Sequence, residues 1–131
     1  MIIFLIKLAG LALIMICLAN AFAFKKLNWN ENLRLTEVFF QQVFKVHTLH
    51  IVMTMLAMAF ACLFTTEELL NPQTALTRGV GWFIALFWGV RTCIHIFYYE
   101  KTIKKQNPLW NIIFLGTFIY LTTLFTILAF T

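Results

Sequence analysis

The sequence predicts an all-α integral membrane protein, a bundle of four transmembrane helices with both termini outside. Of its 131 residues, 62% are hydrophobic and only 11% are charged, whereas a soluble domain averages about 45–50% apolar and about 25% charged residues. Four segments each carry the roughly 20 apolar residues that a hydrocarbon core of about 30 Å requires. None of them alternates polar and apolar residues, which argues against a transmembrane β-barrel. This composition excludes a soluble enzyme, a disordered chain and a disulfide-rich secreted domain.

The predicted spans follow from where the apolar segments begin and end. The first covers about residues 2–24 and contains a single charge, Lys7. Its apolar stretch is longer than the roughly 7–15 residues of a signal-peptide core, so we expect a retained helix. Residues 28–37 are predicted to form a short amphipathic segment along the membrane surface. We expect one transmembrane domain over residues 1–131, whose other three spans cover about residues 38–65, 76–99 and 109–130.

The basic residues predict the orientation of the chain. Ten Lys and Arg against five acids give a formal net charge of +5. Seven of these basic residues flank two of the links between spans: Lys25, Lys26, Arg34, Lys45, Lys101, Lys104 and Lys105. The positive-inside rule then places links 25–37 and 100–108 in the cytoplasm. The net charge is therefore an orientation signal with affinity for anionic phospholipid, and it does not indicate nucleic-acid binding.

Catalytic groups are scarce in this sequence. Cys17, Cys62 and Cys93 lie singly in three spans, which excludes a paired-cysteine redox enzyme. All five acids are Glu and lie in links or at span ends, which argues against a proton-driven antiporter or a carboxylate-bridged di-iron site. The sequence contains no Ser and no phosphate-binding loop. We therefore predict that the chain is not an enzyme, although a role in electron transfer stays open.

Polar residues of the spans are predicted to converge in the cytoplasmic leaflet. The second and third helices run antiparallel, and we take Phe44 and Tyr98 to lie at the same membrane interface. His47 and His95 then lie at the same depth in the membrane. His47 and His50 are spaced i and i+3, and Arg91 and His95 i and i+4, so each pair shares a helix face. The predicted layer contains Asn20, Gln42, His47, His50, Arg91, His95 and Asn111.

Arg91 is the most costly member of this layer. An arginine at the bilayer centre costs at least about 2.5–3.5 kcal/mol, so Arg91 should face the bundle or a partner. We expect its counter-ion to be a lipid phosphate, a haem propionate or a group on another subunit. The alternative is snorkelling to the inner surface. The predicted lipid- or anion-binding residues are Arg91, Asn20, Gln42, Tyr98 and Asn111.

The three histidines allow an alternative with a cofactor. A b-type haem in a membrane is held between two histidines on facing helices, and His95 opposite His47 or His50 would meet this requirement. A three-histidine metal site is a variant, because neutral imidazole binds Zn, Cu or Fe. Histidines that merely pack near an interface are the simpler interpretation, and the sequence requires no cofactor.

Small and aromatic residues predict how the helices meet their surroundings. Small residues four apart allow helices to approach closely, and such pairs are Ala19/Ala23, Ala57/Ala61 and Ala85/Gly89. Fifteen Phe residues exceed what a four-helix bundle can bury. They predict either a lipid-facing coat or a docking surface for another membrane protein.

Several motifs together resemble a group of small bacterial four-helix inner-membrane proteins with no assigned activity. The motifs are Asn28-Trp29-Asn30-Glu31-Asn32-Leu33, Gln42-x-Phe44-x-Val46-His47, Phe87-Trp88-x-x-Arg91 and Phe97-Tyr98-Tyr99. The resemblance implies four spans and a role for His47 and Arg91. We expect a non-catalytic accessory or scaffold subunit of a larger complex in the bacterial inner membrane, which contacts other membrane subunits and phospholipid. The alternative is a haem- or quinone-binding anchor of a redox complex.

Overall fold

The computed structural model describes residues 1–26, 28–71, 74–98, 105 and 108–130, and 92% of them are helical. The helices are α1 (Ile2–Lys26), α2 (Trp29–Arg34), α3 (Val38–Phe64), α4 (Thr66–Leu70), α5 (Ala75–Phe97) and α6 (Pro108–Phe130). This described part contains no β-strand. The predicted all-α class with four long apolar helices is confirmed, and every predicted span end lies within two residues of the observed one.

The four long helices are α1, α3, α5 and α6, and each is long and apolar enough to cross a membrane. The chain is therefore a multi-pass membrane protein. Hydroxyl groups within these helices donate to the carbonyl four residues earlier, as Thr48 does to Phe44 at 2.9 Å and Thr117 to Ile113 at 2.8 Å. These bonds satisfy the hydroxyls inside a medium that offers no water.

Local signals explain where several helices begin and end. Thr74 and Thr77 form a capping box at the start of α5, with backbone-to-hydroxyl distances of 3.2 Å in both directions. Asn28 adopts the left-handed conformation (φ 47°), which Asn tolerates better than most residues, and so turns the chain from α1 into α2. The short helix α4 was not predicted. Glu67 and Glu68 in its first turn favour a helix N-terminus.

The described residues fall into two compact units, and the first is Lys7–Phe64. Its buried residues recur at spacings of three and four along α1 and α3, as expected for one packed face of each helix. They are Ala9, Gly10, Leu13, Ile16, Cys17, Met55, Met58, Ala59 and Cys62.

Gly10 lies at a tight contact between α1 and α3. A Cβ atom at this position would lie 2.8 Å from Leu63 Cγ and 3.1 Å from Cys62 Cβ, closer than atoms pack without displacement. None of the three predicted small-residue pairs includes Gly10. Gly89 does belong to one of these pairs. A Cβ atom there would lie 3.7 Å from Thr122, an ordinary van der Waals distance, so the position has room for a methyl group.

We predict that Gly10→Ala lowers the free energy of unfolding by about 1–3 kcal/mol, because the added methyl overpacks the α1–α3 contact. Denaturation in detergent, followed by helical circular dichroism, measures the change. Gly116→Ala is the matched control, because its Cβ meets nothing within 4 Å. Alanine is the better helix former, so this control should gain about 0.5–1 kcal/mol. Equal gains at both positions would contradict the close packing at Gly10.

The second compact unit comprises Met1–Ile6 and Thr65–Thr131, and α5 and α6 form its antiparallel helix pair. At one end of the pair, the Trp82 ring meets the Phe130 ring edge-on, with centroids 4.9 Å apart. The Tyr120 hydroxyl donates to the Leu5 carbonyl at 2.7 Å and ties the first residues of α1 to α6. The buried residues of α5 and α6 are Gly81, Ile84, Ala85, Trp88, Phe118, Leu121, Leu124, Phe125, Leu128 and Ala129.

Most of the apolar surface of the long helices faces outward. Within the most apolar 18-residue window of each helix, only 22–33% of the residues are buried. Large side chains such as Phe4, Phe22 and Phe60 are among the exposed ones. This distribution is that of helices that contact lipid or another membrane protein over most of their circumference.

Candidate functional site

The first candidate site lies at the polar end of the α5–α6 pair. His95 Nε2 and Asn111 Oδ1 are 2.7 Å apart, and because an amide oxygen only accepts, Nε2 carries the proton. The hydroxyl oxygens of Thr92 and Thr122 lie 3.2 Å apart across the same pair. The interface thus changes from apolar at the Trp82 end to hydrogen-bonded at the Asn111 end.

Phe118 lies at the centre of this polar end. Its ring is 3% exposed and contacts the Trp88 ring at a centroid distance of 5.3 Å and the His95 ring edge-on at 5.6 Å. The Arg91 guanidinium carbon lies 5.7 Å from the Phe118 centroid, within the range of a cation–π interaction. The half-buried Arg91 therefore rests on an aromatic face inside the span.

Trp88 is the one buried side chain of the described residues whose polar atom has no hydrogen-bond partner. Its indole is 1% exposed, and Nε1 meets no acceptor among them. A buried donor left unsatisfied costs about 1–3 kcal/mol. Sequence reasoning missed both Trp88 and Phe118 as parts of a site, because an aromatic residue within an apolar run gives no signal beyond hydrophobicity.

The hydrogen bond between His95 and Asn111 can be tested by substitution. We predict that Asn111→Leu lowers the free energy of unfolding by about 0.6–1.7 kcal/mol, between the average and the largest value found for hydrogen bonds between membrane helices. In a His95→Leu background the same substitution should cost almost nothing, because the bond is already lost. Detergent denaturation of the four chains gives the coupling energy. Full additivity would show that the bond contributes nothing to stability.

The second candidate site lies on α3 and contains His47 and His50. His47 Nδ1 lies 3.1 Å from the Val43 carbonyl oxygen, and His50 Nδ1 lies 2.8 Å from that of Val46. A carbonyl only accepts, so each Nδ1 carries a proton, and in the neutral tautomer with this bond the lone pair lies on Nε2. Both side chains are exposed, and neither Nε2 has a partner within the described ranges. Both rings therefore offer an acceptor to the surroundings of the helix.

These histidines begin a stripe of polar and small residues along α3. His50, Thr54, Ala57 and Ala61 follow at steps of four, three and four, so they share one face. Taken with His47, these five residues are the histidine–alanine face. Thr54 donates to the His50 carbonyl at 2.8 Å, and both His50 and Ala57 are exposed. The stripe therefore combines hydrogen-bonding groups with side chains small enough for another helix to approach.

A second exposed face of α3 has a different character. Between residues 49 and 64 it carries large apolar side chains, namely Leu49, Met53, Leu56, Phe60 and Phe64. The Phe60 and Phe64 rings pack with centroids 4.5 Å apart. This face has the composition expected for contact with lipid, and the histidine–alanine face does not.

The remaining predicted site residues differ in their exposure. Asn20 is half-buried on α1, Gln42 is exposed near the start of α3, and Tyr98 is 81% exposed just after α5. The structure thus brings His95 and Asn111 into contact, with Arg91 on the same aromatic ring. It places His47 and His50 on one helix face. Among the described residues, no group of three or more His, Cys, Asp or Glu is arranged to hold a metal ion.

Comparisons with known proteins were made for the whole chain. No protein-family model, curated protein sequence or solved structure matches it. The side chains of the two candidate sites are therefore the basis on which a function can be inferred.

Proposed function

We propose that the chain is a non-catalytic accessory subunit of a larger membrane complex, and that a transmembrane helix of a partner docks on the histidine–alanine face of α3. One observation supports this most directly. Two imidazoles bond through Nδ1 to carbonyls of their own helix and present Nε2 on an exposed face of a membrane-spanning helix.

The argument rests on the cost of polar groups in hydrocarbon. His50 lies six residues beyond Phe44, about 9 Å along the axis at 1.5 Å per residue, and Phe44 is at the predicted interface. Polar side chains at such depth almost always face protein or a water-filled cavity, because lipid tails cannot hydrogen-bond to them. A partner helix that presents a donor to Nε2 removes this cost.

The small residues of the same face suit such a partner. Transmembrane helices associate through close packing of Gly, Ala, Ser and Thr, since lipid tails are as apolar as leucine. Ala57 and Ala61 are one turn apart and extend the face beyond the histidines. The partner is therefore a transmembrane helix that carries a stripe of small residues and at least one hydrogen-bond donor, such as Ser, Thr, Asn or Arg. Exposed aromatic residues such as Phe83 add further contact surface for partners or lipid.

The proposed location is the bacterial inner membrane, with links 25–37 and 100–108 in the cytoplasm and both termini outside. The uneven distribution of basic residues supports this orientation. Lipid or anion binding by the predicted set stays a prediction, and that set is Arg91, Asn20, Gln42, Tyr98 and Asn111.

A second candidate function is a haem- or quinone-binding anchor that uses His47 or His50. Histidines that bind iron typically donate Nδ1–H to a carbonyl and ligate through Nε2, and both residues have this arrangement. His95, the other predicted ligand, has its Nε2 engaged by Asn111. An absorption spectrum of the purified protein tests this function, because bound haem gives a Soret band and its absence rejects the haem site.

The accessory role is tested by the size of the protein in native membranes. The chain, at its natural expression level, is solubilised in mild detergent and separated on a native gel. We expect it to migrate in a discrete complex that contains other proteins and is much larger than its own 15.3 kDa. Migration as a monomer, or as an oligomer of this chain alone, would overturn the proposal.

A further inference from the structure

A groove at the turn between α1 and α3 has a different chemistry from the two sites above. Its volume is about 350 Å³, and it is lined by Trp29, Asn32, Leu33 and Phe44. All four residues belong to the compact unit Lys7–Phe64. The lining is largely apolar, with the Asn32 amide as its polar group.

Trp29 builds the groove by joining three helices. Its ring centroid lies 4.3 Å from that of Phe24 on α1 and 4.8 Å from that of Phe44 on α3. Leu33 lies one turn after Trp29, so the two share the groove side of α2. No residue of α2 is fully buried. The apolar side of this helix therefore stays open to the medium around it.

The groove lies where a membrane meets water. The short helix α2 connects two membrane-spanning helices, so it lies near the level of the lipid headgroups, where tryptophan is enriched. A short helix with an apolar side at this level is typical of a segment that contacts lipid.

The charges next to the groove residues in the sequence favour an anion. Lys25 and Lys26 are exposed in the last turn of α1, Arg34 is exposed in the last turn of α2, and Lys45 follows Phe44. Two exposed carboxylates, Glu31 and Glu37, lie in the same stretch of chain. Four cations against two carboxylates leave a net positive surface, and clusters of basic residues beside a membrane span attract anionic lipid headgroups.

We propose that this groove binds an anionic phospholipid such as phosphatidylglycerol. The phosphate contacts Lys25, Lys26 and Arg34, and the glycerol and upper acyl chain lie against Trp29 and Leu33. A volume of about 350 Å³ is near the lower end of the roughly 300–1,000 Å³ of ligand pockets, so the groove takes one segment of a lipid molecule. None of the residues that line the groove belongs to the predicted lipid- or anion-binding set that contains Arg91, and the proposal does not depend on the accessory role proposed above.

Native mass spectrometry of the full chain tests the site. Protein is equilibrated in micelles with equal amounts of phosphatidylglycerol and phosphatidylcholine, and the lipid that stays bound is identified. We expect the wild-type chain to retain phosphatidylglycerol at least about tenfold over phosphatidylcholine. The triple variant Lys25→Gln/Lys26→Gln/Arg34→Gln should retain both lipids about equally. Leu33→Trp, which fills the groove and changes no charge, should also lose bound phosphatidylglycerol.

Two controls separate this site from general attraction to lipid. Arg78→Gln removes an exposed cation outside this turn and should leave the preference unchanged. Circular dichroism must show the same helicity for every variant. No lipid preference in the wild type would overturn the proposal. Full retention by Leu33→Trp, or displacement of the lipid by its deacylated headgroup at equal concentration, would also overturn it, because the groove would then play no part.

Discussion

Replacing His47 and His50 together by Leu should release the chain from its complex without unfolding it. Both imidazole acceptors on the histidine–alanine face would be lost. Hydrogen bonds between membrane helices contribute about 0.6 kcal/mol on average and up to about 1.7 kcal/mol each. Losing two of them, at about 1.2–3.4 kcal/mol together, predicts association weaker by roughly 7- to 300-fold. A native gel reports this as loss of the large complex and appearance of the free chain.

The same double variant should leave the isolated chain at least as stable as the wild type. Neither ring bonds to another element among the described residues, and each Nδ1 bonds only within its own helix. Leucine at an exposed position of a span also removes the cost of a polar group in lipid. The matched control is Leu49→Val/Leu56→Val on the large apolar face, which should leave the complex intact. Loss of the complex in this control, or unfolding of the histidine variant, would contradict the assignment of the docking face.

Chemical labelling of the links between helices should give an all-or-none result for the orientation of the chain in the membrane. In a background with Cys17, Cys62 and Cys93 replaced by Ala, single cysteines are introduced by Thr36→Cys and Asn71→Cys. Both positions are exposed in short links that flank α3. A membrane-impermeant maleimide should label Asn71→Cys on intact spheroplasts and label Thr36→Cys only after the membrane is disrupted. This result follows from the positive-inside rule, because the basic residues cluster around the link that contains Thr36.

Labelling of Thr36→Cys from outside would reverse the proposed orientation. It would also place the lipid groove at Trp29 in the outer leaflet. The groove itself could still bind an anionic lipid, so the micelle experiment and the labelling experiment test separate claims.

The long helices could be predicted from the sequence because the signal is physical and strong. About 20 apolar residues without carboxylates have few alternatives to spanning a membrane, and the ends of the four long helices lie within two residues of the predicted span ends. The amphipathic segment at residues 28–37 contains the observed helix α2 (Trp29–Arg34). The five-residue helix α4 was missed, because a helix this short leaves no periodic pattern.

The contacts between side chains were less predictable. Counting residues along antiparallel helices put His95 and Asn111 at one depth, and they are hydrogen-bonded. Counting residues does not show which way a helix is rotated about its axis, and α3 is apolar on most sides. The exposure of His47 and His50 therefore could not be predicted from the sequence. Phe118 and Gly10 contribute through their packing against specific neighbours. The type of a residue does not indicate which neighbours it packs against.

Site-directed photocrosslinking in native membranes tests the docking face most directly. A photoreactive amino acid is placed at Ala57 on the histidine–alanine face and, as the control, at Leu56 on the large apolar face. We predict that position 57 gives one discrete adduct with a transmembrane segment of another protein, and that His47→Leu/His50→Leu abolishes this adduct. Position 56 should react with lipid alone. Only lipid adducts at position 57, or an adduct between two copies of this chain, would contradict the proposed role as an accessory subunit.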